Sequence, residues 1–201
     1  MSDETFRTVA GRGRASFRVR GSEFVGHVAP AASVEAAEAV VDEVRADHPD
    51  ATHVVPAYRV RADPLREYAS DDGEPSGSAG KPALNVLQGE ALENVVVAVV
   101  RYFGGTELGV GGLVRAYGRA VKLAVDDAGT EKREPRERFS VTVDYDDSGT
   151  VRGILESAGA DFEADYAARV AFAVAVPRSA AAPLRDRLNS ATAGRVAIDD
   201  P

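Results

Sequence analysis

The chain has 201 residues, 44% of them hydrophobic, enough to bury one large core or two small ones, which excludes wholesale disorder. It sets 24 basic against 32 acidic side chains, a formal net charge of −8, which excludes broad attraction to nucleic acid but leaves room for a local basic patch. There is no cysteine, so disulfides and thiolate metal sites are excluded.

In chain order, the first ten residues or so carry no periodic signal and read as a loose terminus. Residues 15–29 read as two strands, with Phe17, Val19, Phe24, Val25 and Val28 apolar and Gly21-Ser22 as the turn. Ser33 is placed to cap a helix carrying Val34, Ala37, Val41 and Val44, which ends before Pro49. Residues 52–61 are a third strand candidate. A loop of about twenty residues follows, 62–82, longer than a compact domain holds without a functional reason. A short helix is expected over 83–88. The β-branched run NVVVAVVRYF reads as a strand buried on both faces. A glycine-rich loop then opens a helix with the apolar stripe Leu113, Val114, Tyr117, Ala120, Val121, Ala124 and Val125.

The segment DDAGTEKREPRER, 126–138, has no apolar periodicity and places a domain boundary, giving domains 1–128 and 136–201. Beyond it Phe139, Val141, Val143 and Tyr145 alternate as a half-buried strand. Ser148 is read as the cap of a helix closed by Gly159. A hairpin over 161–176, a helix over 179–192 and a strand over 195–198 complete the order βαββαβ, a ferredoxin-like arrangement. The whole is an α+β protein.

Two segments carry candidate chemistry: DDGEPSGSAGKP, 71–82, and RYFGGTELGVGGLVRAYGRA, 101–120. The first fails as a phosphate loop, because Pro82 stands where Ser or Thr is needed and Pro75 where the first glycine is. Ser78 and Lys81 match the bare S-x-x-K spacing without its companion motifs. Asp71, Asp72 and Glu74 suit either a hard cation or a turn that satisfies its own amides. The second segment has Val114 where a dinucleotide fingerprint needs its last glycine. Its glycines still leave free N–H groups at a helix N-terminus between Arg101 and Arg115, which suits an anion or merely a tight turn. Aromatic and basic residues interleave at Tyr58-Arg59 and at Arg101-Tyr102, a pattern that suits single-stranded nucleic acid. Tyr117 is read as core, whereas Tyr58 and Tyr102 are read with exposed hydroxyl edges. His27, His48 and His53 have no partner at zinc-helix spacings and are each read as lone structural histidines.

Taken together, GHVAP (26–30), HPDATH (48–53), AYR (57–59), DDGEPSGSAGKPALNVLQG (71–89) and RYFGGTELGVGGLVRAYGRAV (101–121) resemble the IMPACT/YigZ family. The resemblance implies a first domain with a left-handed βαβ unit, like domain IV of elongation factor G. It implies a ferredoxin-like second domain, like that factor's C-terminal domain. Eukaryotic members regulate translation and carry an added RWD domain, which is not expected here. The family pattern marks Asp71, Asp72, Gly73, Glu74, Pro75, Gly77, Gly80, Pro82, Arg101, Gly104, Gly105, Leu108, Gly109, Gly111, Gly112 and Arg115.

The expected function is a translation-linked regulatory binding protein rather than an enzyme, contacting RNA, the ribosome or a translation-related protein through loops 71–82 and 101–116. The expected binding residues are Lys81, Arg101, Arg115, Asp71, Asp72, Glu74, Ser76, Ser78, Tyr58, Tyr102, Gly104, Gly105, Gly109, Gly111 and Gly112. No catalytic residue, cofactor or metal is assigned. The alternative is a magnesium-dependent enzyme or sensor for a small phosphorylated ligand, its cation held by Asp71, Asp72 and Glu74. The longest apolar run, 95–100, is too short to span a bilayer, and no leader is visible, so a cytoplasmic monomer is expected. Lysine occurs only at Lys81, Lys122 and Lys132, and acidity with scarce lysine suits a proteome adapted to high internal salt. High-GC codon usage explains the arginines but not the acidity.

Overall fold

A computed structural model of the chain describes residues 5–62 and 64–200. Residues 1–4 of the expected loose terminus, Asp63 of the expected long loop and Pro201 lie outside the described residues. The described chain divides into two compact units, Phe6–Arg133 and the residues from Glu134 onward.

The first unit is built on the strands β1 (Phe6–Val9), β2 (Gly13–Val19), β3 (Ser22–Pro30), β4 (His53–Val60), β5 (Arg66–Ala69), β6 (Val95–Tyr102) and β7 (Thr130–Arg133). Its helices are α1 (Val34–Asp47), α2 (Gly80–Gly89) and α3 (Gly109–Ala128). Five strands form one sheet in the order β2-β3-β6-β4-β5, every neighbouring pair antiparallel. Hence β3 and β4 run parallel with β6 between them, and α1 is the crossover that joins them.

The apolar run of β6 is continuous because both sides of the sheet are covered. Val95, Val97 and Val99 pack with Leu113, Tyr117, Ala120 and Leu87 under α2 and α3. Val96, Ala98 and Val100 face the other side, where Val41 and Val44 of α1 close two smaller clusters. α1 starts where its cap predicts, with the Ser33 hydroxyl accepting from the Ala36 N–H at 3.1 Å, and His48 follows as its C-cap. α3 lies so close to the sheet that a Cβ on Gly26 would sit 2.3 Å from the Ala120 carbonyl oxygen.

Several local expectations are corrected. The terminus is a strand from Phe6, paired antiparallel with β7, and Val9 is fully buried. The long loop contains β5, and α2 begins at Gly80 rather than residue 83. Val114 leaves the apolar stripe and is exposed, whereas Ala116 joins it. Segment 126–138, where the sequence places the domain boundary, holds the end of α3 at Ala128 and then β7.

The second unit comprises β8 (Arg136–Val143), α4 (Tyr145–Ser157), β9 (Asp161–Tyr166), β10 (Val170–Pro177), α5 (Arg178–Ala191) and β11 (Ala197–Asp199). The sheet order β11-β8-β10-β9, antiparallel throughout, is that of a ferredoxin-like fold. Phe139, Val141, Val143, Phe172 and Val174 bury against Val151, Leu155, Leu184 and Leu188. Here Tyr145 opens the helix instead of ending the strand. Ser148 is not its cap but lies one turn inside, donating to the Tyr145 carbonyl at 2.7 Å. No helix among the described residues is long and apolar enough to cross a membrane.

Candidate functional site

The strand alternation that buries Val99 also turns Arg101 inward, on the face covered by α3. Register sets Phe24 of β3 opposite Arg101 on one side and His53 of β4 opposite it on the other. A guanidinium placed in a core needs a counter-charge. Glu74, from the loop 71–82, supplies it: its Oε1 accepts from the Arg101 guanidinium at 2.6 Å and from the Tyr117 hydroxyl at 2.7 Å. His53 Nε2 lies 3.9 Å from the same oxygen. The pair is nearly dry, with side-chain exposures of 6% for Arg101 and 3% for Glu74. Phe24 and Phe103 flank the guanidinium at 5.6 and 5.4 Å. Burial pushes the Tyr117 phenol up, and its bond to Glu74 adds to that.

The other polar groups of DDGEPSGSAGKP that the structure engages bond within the loop or to β4. The Asp71 carboxylate accepts backbone N–H bonds from Gly77 (2.7 Å), Ala79 (3.0 Å) and Gly80 (2.8 Å), binding the loop to the start of α2. Burial opposes ionisation of Asp71, but those three bonds outweigh it and hold its carboxyl below the ordinary range. Asp72 takes a left-handed backbone (φ 48), which Asp tolerates, and its carboxylate accepts the Val54 N–H at 2.7 Å. The Asp72 carbonyl accepts from His53 Nδ1, also at 2.7 Å. Ser78 is fully buried and donates to the Pro75 carbonyl at 2.5 Å. All three carboxylates thus have protein partners. Among the described residues no cluster of three or more His, Asp or Glu side chains is arranged to hold a metal.

In the second segment Gly104 makes the closest approach: a Cβ there would lie 1.9 Å from the Gly21 carbonyl carbon. Its N–H donates to the Ser22 hydroxyl at 3.1 Å. Gly105 and Gly109 have positive φ, whereas Gly111 and Gly112 lie in the first turn of α3 rather than in the loop before it.

The structure therefore joins the two segments, through Glu74 to Arg101 and Tyr117, but it sorts the expected binding residues differently. Arg101, Glu74 and Ser78 are buried, and Asp71 and Asp72 are engaged with backbone, so these five brace the loops. Lys81, Ser76, Gly104, Gly105, Gly109, Gly111 and Arg115 are exposed, and Gly112 is half-buried. Tyr58, expected at the surface, is 8% exposed and stacks on Tyr68 with centroids 5.1 Å apart; burial pushes its phenol up. The Tyr102 hydroxyl bonds His48 Nδ1 at 2.7 Å.

Arg115 belongs to a constellation that the sequence reading missed. With Arg20, Arg119, Phe17, Val19, Leu108, Gly112 and Ala116 it lines a cleft of about 430 Å³ between the β2–β3 turn and the start of α3. The floor is apolar, no carboxylate lines it, and none of the three arginines joins an ion pair among the described residues. The Arg119 guanidinium lies over the Phe17 ring, 4.5 Å from its centroid. Lys122 extends the row, next to Arg115 and Arg119 along the same helix face. The spacing 115, 119, 122, opposite the apolar stripe, was the available signal.

His27 and His48 are not lone. Their Nε2 atoms are 3.1 Å apart, and burial, then the charge of His48, hold His27 down to about 4. Burial likewise lowers His48.

The Impact N-terminal domain matches residues 20–125, and a domain of unknown function, DUF1949, matches 141–195. The IMPACT family member YigZ of Escherichia coli is 36% identical over 183 residues, covering 90% of each chain. The chain belongs to the IMPACT family. A Thermus thermophilus family member is 37% identical over 90% of this chain and 99% of its own. A crystal structure described as that of a hypothetical protein matches all of this chain with a TM-score of 0.74 at 33% identity.

Proposed function

We propose that this IMPACT-family chain is a translation-linked regulatory binding protein that contacts RNA, free or ribosomal, through the cleft at the start of α3. Its family supports the link to translation, since the resemblance implies such regulation for the eukaryotic members. The observation that carries the RNA contact is the cleft itself. Three guanidiniums without carboxylate partners converge there, on a chain whose net charge is −8. Unpaired arginines kept together against an acidic background suit a ligand that brings its own negative charge, and a row of them suits successive phosphates.

In this reading Arg20, Arg115, Arg119 and Lys122 contact the ligand, with Lys81 outside the cleft as a further exposed cation. Loop 71–82 does not touch RNA through its carboxylates; it holds Arg101 and α2 in place behind the contact surface. The magnesium-dependent alternative loses its cation ligands, because Asp71, Asp72 and Glu74 already bind protein donors.

Anisotropy of a labelled single-stranded RNA, titrated at several salt concentrations, tests the reading. Engagement of about four phosphates gives a slope of roughly −3 in log K against log salt. Arg115→Glu with Arg119→Glu should remove both the binding and the slope. Binding that survives the double reversal, or no binding at low salt, overturns the proposal.

A further inference from the structure

On the opposite face of the first unit's sheet, three polar side chains stand in the cluster formed with α1. His27 shares the α1-facing side of β3 with Val25 and Ala29, and Tyr102 shares that side of β6 with Val100. His48 is the residue that ends α1. The His27 and His48 rings meet edge to face, 71° apart, with their Nε2 atoms converging to 3.1 Å. On the far side of His48, Nδ1 is held by the Tyr102 hydroxyl at 2.7 Å.

We propose that His27 and His48 form a two-imidazole site for a divalent transition metal, clamping the end of α1 to β3. Two nitrogens bound to one zinc at about 2.0–2.1 Å in a tetrahedron are roughly 3.3 Å apart. Bound at right angles to a copper or nickel ion they are about 2.9 Å apart. The observed separation lies between these values, so the spacing suits one metal that replaces the proton shared by the two nitrogens. A metal-bound histidine ordinarily has its other nitrogen fixed by a neighbour, and Tyr102 supplies that support to His48. Arg14 and, less strongly, Asp47 act electrostatically on both imidazoles with opposite sign. Glu43, one turn earlier, is committed to Arg12 at 2.5 and 2.7 Å. The two imidazoles are therefore the protein's ligands, and water supplies the rest. Imidazole donors favour zinc, copper or nickel over magnesium or calcium.

The chain has three histidines, which makes the test direct. Ring-nitrogen correlation spectra of the purified chain should show two imidazoles shifting together as zinc or nickel is added, while His53 stays in place. The melting temperature should rise by about 3–5 °C at a metal concentration roughly ten times the Kd. Magnesium should do neither, and chelation should reverse both. His27→Gln and His48→Gln should abolish the rise, and His53→Gln should keep it. No coupled shift in the wild-type chain, or a response that follows His53, overturns the proposal whether or not the variants fold.

Discussion

Glu74 and Arg101 meet at 2.6 Å inside the first unit, an ion pair between a loop and a central strand with the Tyr117 hydroxyl on the same oxygen. This contact decides what the two most distinctive stretches of the sequence do. The loop at 71–82 supplies an anion to a buried strand arginine, and the same anion ties down the helix that carries Arg115 and Arg119.

Removing one partner leaves an uncompensated charge in the core. Arg101→Met should therefore cost about 3–5 kcal/mol in urea unfolding. Replacing both partners, Glu74→Leu with Arg101→Met, should cost less than the two single changes summed. If Arg101→Met unfolds at the wild-type urea midpoint, the pair does not hold these segments together.

The glycines of the second segment separate by role. Gly104→Ala should destabilise severely, since the new methyl meets the Gly21 backbone at 1.9 Å, and it is main chain rather than the end of a flexible side chain that must shift. At Gly111 the nearest atom is the tip of the Arg115 side chain, at 3.5 Å. Gly111→Ala should leave stability unchanged or raise it by up to about 1 kcal/mol through helix propensity. Thermal unfolding of the two variants side by side checks this, and equal effects would contradict it.

Asp71 gives a pH signature. Its carboxyl titrates below the ordinary value of about 3.9 because three N–H groups favour the ionised form. A depressed folded value means that the stabilisation is complete above the unfolded pKa and is lost as pH falls through the folded one. Asp71→Asn should therefore be less stable than wild type at pH 7, by about 2 kcal/mol. The gap should narrow below about pH 4. A gap that stays constant between pH 7 and pH 3 would show that the N–H bonds do not depend on the charge.

Much of this fold is legible in the sequence where signals are local. Ser33 and Pro49 bracket α1, and the uninterrupted run in β6 announces a strand covered on both faces. β1 was hidden because its four residues are too short for periodicity and their partner β7 comes at the other end of the unit. Arg101 looked like a surface cation because it is charged. Its parity with Val95, Val97 and Val99 nevertheless places it on the core face, and only the unseen Glu74 makes that tolerable. The His27–His48 pair joins a strand to a helix end 21 positions away, beyond any fixed-spacing rule. Arg20 and Arg119 were missed because the cleft forms only when the β2–β3 turn meets α3.

The most direct measurement of the RNA-contact proposal is co-sedimentation with ribosomes, comparing wild type with Arg115→Glu/Arg119→Glu. Both side chains are at the surface and in no ion pair among the described residues, so the double variant should stay folded, losing about 1 kcal/mol or less of Arg119–Phe17 stacking. The predicted result is that wild type pellets with ribosomes at low salt, is released as salt rises, and the double variant stays in the supernatant throughout. A folded double variant that pellets like wild type would contradict the assignment of this cleft as the contact surface.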